Sequence, residues 1–321
     1  MPQLNDTMST KKITLAFCTY NRAERLEKLV EAIRRQTTST PFDILAVNNN
    51  STDHTLTELE RLAKLSGPVL RYVTETEQGI VAARNRAIAE CLDSGVMIFI
   101  DDDEIPLPGL IESAAHSILQ QGAECVGGKV ALDFSTHARP HWLKDELLGF
   151  LAEVDYGNEP FWIKDTSTPI WTANIAYDMR MFRENSELRF DKRYDRKGKV
   201  IGGGSDAAMF ATLLKQGSRI YYNPGMCVLH DVEPWRLHRS YFLKLHYRSG
   251  MRKAYNELPN YPRTLFGIPP FMIKQLLKHS LKTVWMYLTC NPGKLRQTMN
   301  ASYALGLIAG YRLKNKIPHQ S

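Results

Sequence analysis

The chain opens its ordered pattern with an unbroken apolar run, residues 13–19 (ITLAFCT), and then places Leu26, Leu29, Val30 and Ile33 at spacings of three and four. Continuous apolarity over seven residues predicts a buried strand, and the three-four spacing predicts a helix with one covered face. The unit repeats: FDILAV (42–47), a helix after Ser51, Thr52 and Asp53, whose hydroxyls and carboxylate can cap it, VLRYV (69–73), a helix over 80–92, and VMIFI (96–100). Near-continuous apolar strands alternating with helices predict an α/β fold with a mostly parallel central sheet, covered on both faces and open to ligands beyond its carboxyl ends.

A helix near 108–121 and a strand near 124–131 follow. Residues 133–168 then lose periodicity and gather Pro, His, Trp and acids, which reads as a long functional loop region rather than core. A strand over 170–177 (IWTANIAY), a helix near 205–216 and strand-like runs at 219–222 and 226–230 complete the domain; beyond Pro234 the pattern turns helical and basic. The expected organisation is a polar tail over 1–12, a catalytic domain over 13–233 divided at 105/106, and a helical C-terminal region over 234–321.

Charge sharpens that boundary. The whole chain of 321 residues carries a net +7, but residues 231–321 hold 15 Lys/Arg against 3 Asp/Glu, leaving the first 230 residues at −5. Apolar and charged fractions of 43% and 23% are those of a soluble globular protein. The polar start, MPQLNDTMSTKK, lacks the apolar core of a secretory signal, so a cytoplasmic location is expected. The five cysteines are widely spaced without a C-x-x-C pair, which predicts neither a disulfide framework nor a thiolate zinc site.

Chemistry concentrates where VMIFI runs into Asp101, Asp102 and Asp103. Carboxylates at the carboxyl end of a buried parallel strand suit Mg²⁺ or Mn²⁺, hard cations that bridge to phosphate oxygens. The competing reading is a solvated acidic turn.

Five segments then stand in order: CTYNRAERLEKLVEAIRRQT, FDILAVNNNSTDHT, EQGIVAARNRAIAE, MIFIDDDEIPLPGLI and GGGSDAAMFATLLKQGSRIYYNPGMCVLH. Over residues 11–255 the chain resembles a family 2 glycosyltransferase of the GT-A fold, inverting and of the bacterial polysaccharide-biosynthesis type. The resemblance implies that Thr19, Tyr20 and Arg22 meet the nucleotide base and diphosphate. Asn48 stands where many members have an aspartate that holds uracil, so UDP is favoured and the base stays open. Gly79 and Arg84 match the G-x-x-x-A-R-N segment, with the arginine reaching the nucleotide; Asp101 and Asp102 fall in the nucleotide-sugar region, and Asp103 is the implied metal ligand, with His230 as a second. Asp206, in Gly203-Gly204-Ser205-Asp206, is the implied catalytic base, with Ser205 where the family carries an acid; Ser205 or Asp206 as a plain helix cap is the competing reading.

Trp171 and Asn174, with Ser205, match the segment lining the acceptor side, where a ring suits the C–H face of a sugar; His141, Trp142 and Trp162 are further acceptor-side candidates, and Trp171 as core is the alternative. The implied partners are a nucleotide-diphosphate sugar and a saccharide or, in the family's manner, lipid-linked saccharide acceptor, and not nucleic acid. A nucleotidyltransferase and a catalytically degenerate scaffold subunit are the alternative functions. Lys274, Lys278 and Lys282 recur every four residues among Phe271, Leu277, Leu281, Trp285 and Leu288, too charged to span a membrane; the pattern fits a helix lying in an anionic membrane interface or one packed on the catalytic domain.

Overall fold

The computed structural model describes residues 12–195 and 203–316. Of the polar tail expected over 1–12, all but Lys12 lies outside those residues. The described residues divide into two compact units, one formed by residues 12–138, 142–195 and 204–232 and the other by 139–141, 203 and 233–316.

The first unit is built on a nine-stranded sheet in the order β3-β2-β1-β4-β8-β6-β9-β5, with β7 also on β9. Its first half follows the apolar pattern closely. The strands β1 (Ile13–Thr19), β2 (Phe42–Asn48), β3 (Leu70–Thr74) and β4 (Val96–Ile100) pair in parallel. Every residue of β1 and β4 is buried, as both faces are covered. The helix α1 (Ala23–Arg34) buries Leu26, Leu29, Val30 and Ile33. Its neighbour α2 (Thr55–Ala63) begins as the sequence suggests: the Thr55 amide donates to Asp53 Oδ1 at 3.0 Å. The helix α3 (Ile80–Glu90) leads into β4.

The second half is mixed. After β5 (Glu104–Pro106) and α4 (Leu110–Leu119), β6 (Cys125–Asp133) lies beyond β8 (Asn174–Asp178), which inserts antiparallel between β4 and β6. The strand expected over 170–177 therefore starts at Asn174, leaving Trp171 and Thr172 outside the ladder. The runs at 219–222 and 226–230 are one strand, β9 (Ile220–Asp231), whose pairing with β6 shifts between Gly128 and Lys129. Asn174 closes that irregularity, its side-chain amide donating to the carbonyls of Lys129 and Met226, both at 2.9 Å.

The segment 133–168 is less of a loop than its sequence suggests. A 3₁₀ turn over Asp145–Leu151 buries Leu147, Leu148 and Leu151, and β7 (Phe161–Ile163) pairs antiparallel with β9. Val154 and Ile163 join the main core. Short helices α5 (Arg180–Glu184) and α6 (Ser205–Lys215) complete this unit.

The second unit contains α7 (Arg239–Asn256), α8 (Pro270–Leu288) and α9 (Lys294–Lys316). A Cβ at Gly306 would lie 2.0 Å from the Tyr247 carbonyl oxygen, one at Gly310 2.0 Å from that of Met251, and one at Gly250 2.1 Å from that of Tyr303. The contacts advance together along α7 and α9, so the helices are parallel and their backbones touch through glycine. A separate small core of Ala254, Ile268, Met272, Leu307, Ile308 and Tyr311 holds the unit together. Among the described residues no helix is long and apolar enough to cross a membrane.

Candidate active site at the carboxyl end of the sheet

The site begins where β4 stops. Asp101, Asp102 and Asp103 follow its last residue, and the chain re-enters the sheet at once as β5. The antiparallel register of β5 on β9 sets Glu104 opposite His230. Cross-strand partners on one face meet, and here Glu104 Oε1 lies 2.9 Å from His230 Nδ1, with Asp103 Oδ1 at 3.9 Å.

The donor atoms of Asp103, Glu104 and His230 lie within 4.8 Å of one another. Two carboxylates and an imidazole suit Mn²⁺, and Mg²⁺ through the oxygens. Glu104 Oε2 is buried without a hydrogen-bond partner, an acceptor with unused capacity. The residues present thus fit a divalent cation. Glu104 is the group that sequence reasoning missed. Its signal was available: it follows the acidic triad at the start of a strand-like E-I-P, but only the β5–β9 register shows that it faces the histidine.

Electrostatics agree. Burial pushes the Glu104 carboxyl up to about 7 despite the His230 hydrogen bond, and burial does the same to Asp102, with Asp103 and Asp101 adding to it against the Thr19 hydroxyl and Arg22. Asp101 is raised first by burial, which outweighs the pull of Arg84. It keeps about a third of its side-chain exposure (34%), so the cause is crowding by protein atoms rather than full removal from solvent. A cluster of acids lifted in this way is poised to gain from a nearby cation.

The second centre is Arg84, buried on α3. One guanidinium nitrogen donates to Ser205 Oγ at 3.0 Å and to Asp206 Oδ1 at 2.8 Å, and the other to Asp101 Oδ1 at 3.5 Å. Phe190 and Phe99 lie against it with ring centroids 5.5 and 6.0 Å away. Burial works against this cation, yet the attraction of Asp206 and Asp101 raises its pKa. Thr172 also donates to Asp206 Oδ1, which it reaches because it stands just outside β8. All of these contacts fall on Oδ1. Behind Asp206 a cavity of about 10 Å³, enough for one water, has Thr172 and the buried Tyr177 in a mainly apolar wall.

The other expected site residues are distributed around these two centres. Thr19 is buried, Tyr20 is exposed, and the Arg22 amide donates to Thr55 Oγ1 at 3.0 Å. Asn48 is buried at the end of β2, its oxygen accepting the Ser51 amide at 3.1 Å. Gly79 adopts φ +147°, and a Cβ there would fall 2.2 Å from the Asp195 carboxylate. That carboxylate accepts the Val81 amide at 3.3 Å across the start of α3, a cap from 114 residues away that the sequence did not disclose. Ser205 is buried against Arg84, Trp171 packs half-buried on the core, and Trp162 is exposed on Tyr221 at a centroid distance of 4.7 Å. Trp142 is half-buried in the first unit, whereas His141 belongs to the second.

A sheet end carrying three acids, a Glu104–His230 pair suited to a cation and a carboxylate at a helix start is the arrangement of a nucleotide-sugar transferase of the GT-A fold. The profile described as glycosyl transferase family 2 matches residues 14–186. The chain belongs to that family. No curated protein matches it. Solved structures of the same fold include a mannosyltransferase, GalNAc-T7 and TarS. The mannosyltransferase PcManGT from Pyrobaculum calidifontis, in complex with GDP-Man and Mn²⁺, superposes with a TM-score of 0.52 at 16% identity over 96% of this chain and 76% of that one. GalNAc-T7 with UDP, GalNAc and Mn²⁺ gives 0.54 at 14% identity, covering 78% of this chain and 52% of that one. Residues 1–349 of TarS from S. aureus, in complex with UDP, give 0.51 at 15% identity over 95% and 90%.

Proposed function

We propose that this glycosyltransferase moves a sugar, with inversion, from a nucleotide-diphosphate donor to a hydroxyl of a saccharide acceptor. UDP is the favoured nucleotide. On this reading residues 13–105 hold the nucleotide and 106–233 receive the acceptor. The acceptor is lipid-linked and the product a cell-surface polysaccharide, made on the cytoplasmic side.

The observation that carries the reading is the bridge made by Arg84, one buried guanidinium bonded to Asp101 in the acidic strand end and to Asp206 at the start of α6. It joins the side that suits a diphosphate to the side that suits a proton acceptor. Arg84 and Thr172 both engage Oδ1 of Asp206. Oδ2 is left to take the proton of the acceptor hydroxyl, whose oxygen attacks the anomeric carbon while the nucleoside diphosphate departs. Asp103 and His230, with Glu104 beside them, would hold a divalent ion, which when bound would supply positive charge to a diphosphate leaving group. The rest of the task is alignment, to which the buried, mutually bonded Arg84 and Ser205 contribute.

Thermal-shift measurements with UDP, GDP, dTDP and CMP, each with and without Mn²⁺, test this. Stabilisation by one nucleotide that needs Mn²⁺ and disappears in Asp103→Ala is expected. Silence with every nucleotide would sink the proposal. Given a donor, Asp206→Asn is expected to lower turnover by about 10³-fold while leaving nucleotide binding intact, since the loss falls on proton transfer.

A further inference from the structure

The helix α8 presents two faces of opposite character. Met272 and Met286 are buried on one side. On the other, Leu277, Leu281, Val284, Trp285 and Leu288 are exposed, Leu281 at 71% and Leu288 at 79%. At 100° per residue these five fall within an arc of about 100°, a continuous apolar stripe pointing at solvent. Scattered exposed apolar residues are ordinary, but a contiguous stripe marks a surface with a partner.

Charge identifies the partner. Lys278 and Lys282 run along one edge of the stripe and Lys274 stands one turn before it, all exposed. Residues 234–321 carry 15 Lys/Arg and a single acid, Glu257. A second copy of the same face would set lysines against lysines across a two-fold axis, whereas a layer of anionic headgroups over hydrocarbon answers both the lysines and the leucines. The approach to α8 adds to the pattern. Phe266, 86% exposed, is held in the left-handed region at φ +51°, a costly conformation for an aromatic residue.

We infer that α8 lies flat in the surface of an anionic phospholipid bilayer, its leucine-tryptophan stripe in the acyl boundary and its lysine edge at the headgroups. The helix is too charged to span. The inference does not depend on the sugar-transfer reading.

Sedimentation of the full chain with phosphatidylglycerol–phosphatidylcholine vesicles tests it, alongside Leu281→Glu/Trp285→Glu. Both substitutions sit on exposed positions, and an unchanged melting temperature verifies the fold. Wild type is expected to pellet with the anionic vesicles at low salt and far less with pure phosphatidylcholine. The double variant is expected to lose about tenfold or more in partitioning. Vesicle binding should also blue-shift tryptophan emission, with the shift reduced in Trp285→Phe while sedimentation persists.

The inference is overturned by absence of sedimentation at low salt, or by sedimentation unaffected by the double substitution, which would show adsorption to the headgroups by lysine charge alone with the stripe outside the acyl boundary. It is equally overturned if light scattering shows a dimer that the double variant converts to monomer, the stripe then being covered by a second copy. Nucleotide binding measured in the same samples separates these failures from failure of the catalytic reading.

Discussion

Arg84 shows how much one side chain can organise. Its planar fork meets three acceptors on two different segments, Asp101 after β4 and Ser205 and Asp206 at the start of α6, a geometry that an ammonium point charge cannot reproduce. Arg84→Lys should therefore fold but let Asp206 drift, lowering kcat by about 100-fold. Arg84→Met strands two carboxylates and should cost about 3 kcal/mol in urea denaturation. Wild-type turnover in the lysine variant would show that the fork is dispensable. Ser205, which replaces an acid expected from the family pattern, acquires a physical reason here. Arg84 already has Asp206 and Asp101 as anionic partners, and a hydroxyl accepts from the same guanidinium nitrogen as Asp206 without adding a third negative charge to a crowded site.

At the scale of elements, the glycines between α7 and α9 set the packing of the second unit. Substituting Gly306 by Ala inserts a methyl group where a backbone oxygen lies 2.0 Å away, so the helices must separate and the unit should lose about 2 kcal/mol. Calorimetry should show the lower transition, while Gly149→Ala, where nothing lies within 4 Å of the added carbon, should change little. What the sequence disclosed follows the same division between local and distant. Strands β1, β2 and β4 and the helices α1, α3 and α6 were legible within a few residues, because their periodicity is carried by their own side chains. The break at Pro224-Gly225 made β9 look like two strands, since a bulge is decided by the partner strand and not by the strand itself. The leucines of 145–151 looked like loop because a 3₁₀ turn has no long period to detect. In the site, Asp101, Asp103, Asp206 and His230 were visible as motifs, whereas Thr172, Glu104 and Asp195 owe their places to pairings made far along the chain.

For the whole molecule, the distribution of thiols offers a probe of both units at once. Cys18, Cys91 and Cys125 are buried, Cys227 is half-buried and Cys290 is exposed. Burial pushes the Cys91 thiol up to about 12 and raises those of Cys18 and Cys125 strongly as well. A thiolate is the reactive species, so at pH 8 a disulfide reagent should titrate Cys290 rapidly and Cys227 slowly. The three buried thiols should respond only after denaturation, and rapid reaction of all five would contradict the core described above.

The pairing of β5 with β9 also has a consequence in time. Glu104 and His230 are 126 residues apart in the chain. At ribosomal speeds of about 5–20 residues per second, the acidic strand end waits on the order of ten seconds for its histidine. Throughout that interval Glu104 lacks the imidazole it meets in the finished fold, and only the last strand of the sheet ends the wait. Assembly of the catalytic centre and completion of the sheet are then a single event, so a chain interrupted before β9 has neither.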